Sequence, residues 1–382
     1  MTSQPNLANM LNPSAVLYAA GDLRFEDREV PELKEGEVLV RIEYVGVCGS
    51  DVHFWRHGSI RTPLPKTGIT MGHEASGTIH SLHPSLLSSP SSSSPSSTHS
   101  LAPGTRVALE PGTPCRHCEP CKSGLYNLCR HMRFAAAPGP PDTHGTLTKF
   151  FAVPADFVYP VSSNVGLDEA VLVEPLAVAV HAVKLADVRV GETVIVMGAG
   201  TVGLLCAGVA RVYGARRVVC VDVMEGRVRG AEKWIGEKGV GYLVDGNLSS
   251  EENADSLLEK VGIDMAGVGG VDVVIEASGA PSATVMGIRA LRPGGKYVQT
   301  GLGRGKMDGF PIVEVSEKEL MVRGCFRYAS GDFEMAVQLM ESGDIRVKEL
   351  ISSVVEFGDV REAWERTARG EGVKNLIRGV RN

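Results

Sequence analysis

The chain has 382 residues, 43% of them hydrophobic and 22% charged, with a formal net charge of −6. That length exceeds one ordinary hydrophobic core, so two domains are expected in a water-soluble globular protein. The acidic balance argues against nucleic acid or an anionic membrane as a partner, and no stretch approaches the roughly 18 uninterrupted apolar residues of a spanning helix. The opening residues MTSQPNLANMLNPSAVLYAAGDL lack the basic start and apolar core of a secretory leader, and the closing GVRN is no retention or peroxisomal address. A cytoplasmic protein is expected.

The first third reads as strands and turns. GEVLVRIEYVGVC (36–48) combines β-branched residues with partial alternation, and GHEASGTIHSLH and GTRVALEP follow as short strands punctuated by glycine. Between the last two lies a Ser/Pro-rich segment, 85–103, which cannot bury apolar area and is expected to be a disordered loop insertion.

CRHCEPCKSGLYNLC then places Cys115, Cys118, Cys121 and Cys129 within fifteen residues. In a reducing compartment such a cluster points to metal rather than to disulfides. Four thiolates at this spacing can converge on one tetrahedral zinc, with His117 or His131 able to replace a sulfur; free surface thiols are the alternative. Cys48, Cys206, Cys220 and Cys325 are scattered.

From about Leu176 the texture changes. PLAVAVHAVKLADV reads as a buried helix. After it, TVIVM, an apolar helical run and RVVCVDV alternate as strand, helix and strand; VDVVIEASGA, SATVMGIRALRPGG and KYVQTGL repeat the alternation. Such a pattern predicts a parallel sheet covered by helices. GAGTVG sits between the first strand and its helix, where G-x-G-x-x-G binds a dinucleotide; a glycine turn of an α/β domain with another ligand is the alternative. Gly198 permits the turn, Gly200 lets backbone N–H groups approach a pyrophosphate, and Gly203 allows helix and strand to pack closely. Asp222, about 20 residues on, can accept from both ribose hydroxyls and would repel a 2′-phosphate, favouring NAD; Arg227 nearby could take part in phosphate binding. Gly198, Gly200, Val202, Gly203, Asp222 and Arg227 form the candidate cofactor site. DFEMAVQLMESG and VREAWERTARG are helical patterns in the tail.

Three more stretches carry metal-binding residue types: GVCGSDVHFWRHG (46–58), GHEASG (72–77) and LVEPLAV (172–178). Cys48, His73, Glu74 and Glu174 offer sulfur, imidazole and carboxylate, enough for a catalytic zinc with an open position. Taken singly, Cys48 also reads as a core cysteine and Glu174 as a surface residue.

These segments, with the cysteine loop and GAGTVG, resemble the zinc-dependent medium-chain dehydrogenases, and within them the polyol branch. The likeness runs from about Ala19 to Lys374, and its signatures are CGSDVHFWRHGSI, GHEASG, YNLCRHMRFAAAP, GTLTKFF, LVEPLAVAVHA and GCFRY; the third and fourth point towards the fungal xylitol dehydrogenases. The resemblance implies an α/β chain: a GroES-like, mainly β catalytic domain (1–176 and 325–382) with a Rossmann doubly wound parallel sheet inserted (177–324). It implies NAD and two zincs per subunit. One is catalytic, on Cys48, His73 and Glu74 with Glu174 at the bound water, and one is structural, on the four clustered cysteines. Ser50 would relay the substrate proton with His53 further out, Arg327 and Tyr328 would bond substrate hydroxyls, and Phe134 would wall the pocket. Phe54 stands where several relatives have tyrosine. The implied activity is oxidation of a polyol secondary alcohol to a ketose, xylitol to D-xylulose first, with sorbitol or L-arabinitol as alternatives. A non-catalytic, zinc-stabilised dinucleotide-binding protein is the rival of another class. A homo-oligomer, commonly a tetramer, is implied, with no nucleic-acid or membrane partner.

Overall fold

The computed structural model describes residues 10–87, 101–263, 269–303 and 306–381. The chain divides into two compact units, Met1–Glu174 with Ala336–Asn382, and Pro175–Met335.

The first unit is mainly β. β1 (Asn12–Ala19) and β2 (Asp22–Arg28) form a hairpin. β3 (Glu37–Gly46) leads through Cys48 into α1 (Gly49–His57), which ends at Gly58 in the left-handed region. β4 (Ile69–Thr70) joins β1, and β5 (Glu74–Leu82) returns antiparallel to β3. β6 (Arg106–Leu109) adds to β5. The cysteine lobe carries β7 (Gly112–Thr113), α2 (Glu119–Lys122) and β8 (Arg133–Phe134). β9 (Phe150–Pro154), β10 (Val158–Pro160) and α3 (Leu167–Ala170) complete the N-terminal part. β3 is the hub: it pairs with β5 on one side, and its Val38, Val40 and Ile42 are buried in the core.

The second unit starts within α4 (Val173–Leu185). Its elements are β11 (Thr193–Met197), α5 (Thr201–Val212), β12 (Arg217–Asp222), α6 (Glu225–Ile235), β13 (Gly239–Leu243), α7 (Ser250–Lys260), β14 (Val271–Glu276), α8 (Pro281–Ala290), β15 (Leu291–Gln299), α9 (Ile312–Glu317) and β16 (Met321–Gly324). The strands form one parallel sheet in the order β13-β12-β11-β14-β15-β16. This is the expected doubly wound order, with the reversal between β11 and β14. Every residue of β11 is buried, as a central parallel strand covered on both faces requires. The chain leaves through α10 (Asp332–Glu341) and returns to the first unit as β17 (Ile351–Val355), α11 (Val360–Ala368) and β18 (Lys374–Arg378). There β18 pairs antiparallel with β3, and Trp364 of α11 is fully buried in the same core.

Two expectations differ in detail. The boundary placed at 324/325 falls later, since residues 325–335 belong to the second unit. The reason is local bonding: Cys325 N–H continues the β16 pairing to Gln299 (2.8 Å), and Asp332 bonds His181 and Lys184 of α4. Of the segment expected to be disordered, residues 88–100 lie outside the described residues. Its start is folded: Pro84–Leu86 is a 3₁₀ turn capped by His83, and the Ser85 hydroxyl accepts from Gly36 N–H at 3.1 Å.

Candidate active site

The β3–α1 connection and the start of β5 bring Cys48, His73 and Glu74 together, with one donor atom from each lying within 4.8 Å of the other two. Local structure sets each residue. Cys48 is the N-cap of α1, and the carboxylate of Asp51 folds back to accept its N–H at 2.9 Å. The other Asp51 oxygen lies 3.7 Å from His73 Nδ1. Burial works against a charged imidazole here, but Asp51 and Cys48 outweigh it and hold His73 well above the usual histidine range. Phe134 stands with its ring 5.6 Å from that of His73.

Glu74 is tied from the far side. Pairing of β18, β3 and β5 sets Leu376 beside Gly46 and Gly46 beside Glu74. From β18, the Lys374 ammonium ion-pairs with Glu74 Oε2, both side chains 2% exposed, and also donates to the Val47 carbonyl at 3.1 Å. Gly46 makes the space: a Cβ there would stand 2.1 Å from Glu74 Oε2. Removing one member of a buried ion pair strands the other's charge at about 3–5 kcal/mol. Lys374→Met is therefore expected to lower the unfolding free energy of the metal-free protein by about 3 kcal/mol. Urea denaturation checks this, and a wild-type midpoint would refute it.

Glu174 is not one of the clustered donors. It comes from the first turn of α4 and is buried. Ser50 is half-buried and His53 exposed, three residues apart on α1. Phe54 points inward and belongs to the core, so the hydroxyl that tyrosine would bring there is not at an open position.

The four cysteines 115, 118, 121 and 129 form a second convergent group. None of the eight cysteines is in a disulfide. Sγ atoms of Cys118 and Cys121 are 3.3 Å apart, and those of Cys115 and Cys121 3.9 Å. Tetrahedral zinc with its ordinary bond length separates sulfurs by about 3.8 Å. Backbone N–H groups at His117 and Cys118 bring the Cys115 thiol down to about 6, while burial and the neighbouring thiols push Cys121 up to about 12. The lobe is anchored through Glu110, whose buried carboxylate accepts from Tyr126 (2.6 Å) in the lobe and Tyr159 (2.8 Å) on β10.

In the second unit the glycine turn leaves β11 as expected. Gly198 has φ 95°, and a Cβ on Gly203 would stand 1.8 Å from the Gly198 carbonyl. A Cβ on Gly200 would meet no protein atom within 4 Å. The fold itself therefore does not require glycine at that position. Val202 is half-exposed on the first turn of α5. Asp222, at the end of β12, accepts from Ala199 N–H (2.8 Å) and Met224 N–H (2.9 Å), which fixes the turn and keeps one lone pair on each oxygen. Arg227 lies 4.0 Å from Asp222.

Arg327 and Tyr328 sit on the loop after β16. Arg327 is half-buried with φ 56° and lies over the Phe326 ring. Tyr328 is 2% exposed and packs edge-on to Phe333. The loop is held by Asp332, which accepts from Ala329 N–H (2.7 Å), pairs with His181 Nδ1 (2.8 Å) and accepts from Lys184 (2.6 Å). Burial would raise that carboxyl, but these partners keep it below the usual range. Asp51, Lys374, Glu110 and Asp332 were not singled out in the sequence. Only Asp51 had a local signal, its capping position three residues after Cys48.

A GroES-like metal-binding unit joined to a doubly wound dinucleotide-type sheet defines a class, and the family comparison gives the same one. The alcohol dehydrogenase GroES-like domain matches residues 34–163, and the zinc-binding dehydrogenase domain matches residues 201–342. The chain belongs to this zinc-binding dehydrogenase family. More particularly, it is 45% identical over 370 residues to D-xylulose reductase A of Aspergillus oryzae, covering 97% of each chain. A protein of Aspergillus fumigatus named "Probable D-xylulose reductase A" is 46% identical over 376 residues, 98% of this chain and 99% of that one. Among solved structures, L-idonate 5-dehydrogenase from Escherichia coli superposes with a TM-score of 0.81 at 28% identity, covering 97% of this chain and 98% of that one. No helix among the described residues is long and apolar enough to cross a membrane.

Proposed function

We propose that this protein is a zinc- and NAD-dependent polyol dehydrogenase that oxidises a secondary alcohol to a ketose, xylitol to D-xylulose before others. The observation that carries the reading is the Cys48–His73–Glu74 cluster. Three donors of these types leave the fourth position that a catalytic zinc keeps open. The substrate comes from the names of relatives that match along nearly the whole chain.

A zinc ion held at this cluster would supply Lewis-acid polarisation of the substrate hydroxyl, and NAD held at the glycine turn would supply the hydride acceptor. The protein's part is to hold and to aim. Cys48, His73 and Glu74 would be the ligands, and Asp51 orients the imidazole of His73 from behind. Glu174, buried but outside the cluster, suits exchange at the open position better than permanent ligation. Ser50 takes the hydroxyl proton and passes it to His53, which lies one turn on and is open to water. Arg327, with its planar fork of donors, is the better candidate for remote hydroxyls, because Tyr328 is buried and shapes the loop. Phe134 walls the site beside His73. The four-cysteine set holds the structural zinc.

Asp222 favours NAD, since its charge repels a 2′-phosphate and Arg227 is engaged with it. Asp222→Ala is expected to narrow the NAD:NADP ratio of kcat/KM by at least about tenfold, or 1.4 kcal/mol. An unchanged ratio would move cofactor choice elsewhere. The substrate is tested by initial rates with xylitol, D-sorbitol and L-arabinitol, each with NAD. Xylitol should show the highest kcat/KM; another polyol in first place would change the substrate, and no turnover with any would refute the reading.

The protein is further read as a homo-oligomer. β16 is the last strand of its sheet, and Met321 and Val322 on it are exposed, as are Phe310, Ile312 and Val313 before it. An exposed apolar sheet edge is the kind of surface a second copy covers. Sedimentation at micromolar concentration should find an oligomer, and a monomer would refute this. A cytosolic location agrees with eight unpaired cysteines.

A further inference from the structure

Glu276, the last residue of β14, is 0% exposed, yet among the described residues no basic side chain is paired with it. Its charge is met by the loops around it. Oε1 accepts from Ser278 N–H (2.8 Å), Gly279 N–H (2.9 Å) and the Ser278 hydroxyl. Oε2 accepts from the same Gly279 N–H (2.9 Å) and from Gln299 Nε2 (2.6 Å). Gln299 also donates to the Gly301 carbonyl (2.9 Å), and its own oxygen accepts from Tyr297 (2.7 Å). The Glu276 backbone carbonyl takes Thr300 N–H and Gly301 N–H, both at 2.8 Å. One residue thus ties the loop after β14 to the loop after β15. The two loops approach so closely that a Cβ on Gly301 would stand 2.3 Å from Gly279 N. A buried carboxylate is costly unless fully hydrogen-bonded, so the loops are held to the geometry that satisfies it.

These loops lie at the carboxyl ends of strands on the β14 side of the sheet reversal. Asp222 closes β12 on the other side. The glycine turn stands between them, and a Cβ on Gly198 would be 3.0 Å from the Ser278 Cβ. A dinucleotide laid across the reversal with its adenosine at Asp222 must place its other half over the Glu276 loops.

We propose that Glu276 is a positioning residue for the nicotinamide–ribose half of the cofactor, acting through the 277–280 and 300–303 loops and leaving the adenosine half untouched. The inference rests on the dinucleotide reading above. Glu276→Gln tests it, because an amide has one acceptor atom where the carboxylate has two and so must turn an N–H₂ group towards existing donors. NAD and ADP-ribose are titrated separately by calorimetry into wild type and variant. Expected is a loss of about tenfold or more in NAD affinity, 1.4 kcal/mol, with ADP-ribose affinity unchanged within about twofold. Gln299→Met removes one donor to Glu276 and should give the same split in smaller measure, which covers the case of a Glu276→Gln protein that does not fold. Equal losses for both ligands, or no loss for NAD, would overturn the proposal. A wild type that does not bind ADP-ribose at all would overturn the dinucleotide reading and this inference with it.

Discussion

His73→Ala is expected to lower kcat/KM for polyol oxidation by at least roughly a thousandfold, while NAD still binds. A Lewis acid contributes several kcal/mol of charge stabilisation at the reacting oxygen, and each 1.36 kcal/mol is a factor of ten. With the imidazole gone, Cys48 and Glu74 remain as two donors, and Glu74 already has Lys374 as a competing cation. Metal should therefore leave this cluster before it leaves the four-cysteine set, and zinc content should fall from two per chain to one. The dinucleotide turn is untouched, because Gly198–Gly203 and Asp222 belong to the other compact unit. Turnover near wild type with one zinc lost would remove the cluster from the chemistry.

Cys118→Ser is expected to do the converse. Cys118 caps α2, and its sulfur stands 3.3 Å from that of Cys121. A serine hydroxyl is a poor zinc ligand, and the loop, with Arg116 at φ 68°, has little apolar burial of its own to hold it. Loss of the ion should free the lobe up to its anchor at Glu110 and lower the melting temperature by on the order of 10 °C, about 3 kcal/mol for a unit of this size. The protein that remains folded should keep most of its kcat with one zinc retained. A stability loss with both zincs still bound would contradict the assignment.

How far the sequence reaches depends on the separation of the partners. The strand–turn–helix around GAGTVG and the cysteine loop are contiguous, so backbone period and spacing suffice to place them. β3, β5, β6 and α4 fall where their patterns put them, for the same reason. The stretch from Glu225 to Lys260 folds as α6, β13 and α7, elements absent from the expected alternation although Ser249 and Glu252 carry the spacing of a capping box. Long-range supports were illegible. Lys374 lies 300 residues from Glu74 in sequence, and only the pairing of β18 with β3 brings them together. Asp332 looks like an ordinary helix start: its bond to Ala329 N–H is local, but those to His181 and Lys184 reach across 151 and 148 residues of sequence. Phe54, where several relatives have tyrosine, belongs to the core, a placement its motif does not reveal. Glu174, expected at the bound water, is buried and is not one of the clustered donors.

The most direct test of the central claim is the initial rate of NADH formation with xylitol and NAD, measured on one preparation before chelation, after chelation, and after zinc is returned. The rate should fall to background when the metal at Cys48, His73 and Glu74 is removed and return with one equivalent of zinc, with NAD binding unchanged throughout. A rate that survives removal of both zincs, in protein that still binds NAD, would contradict it.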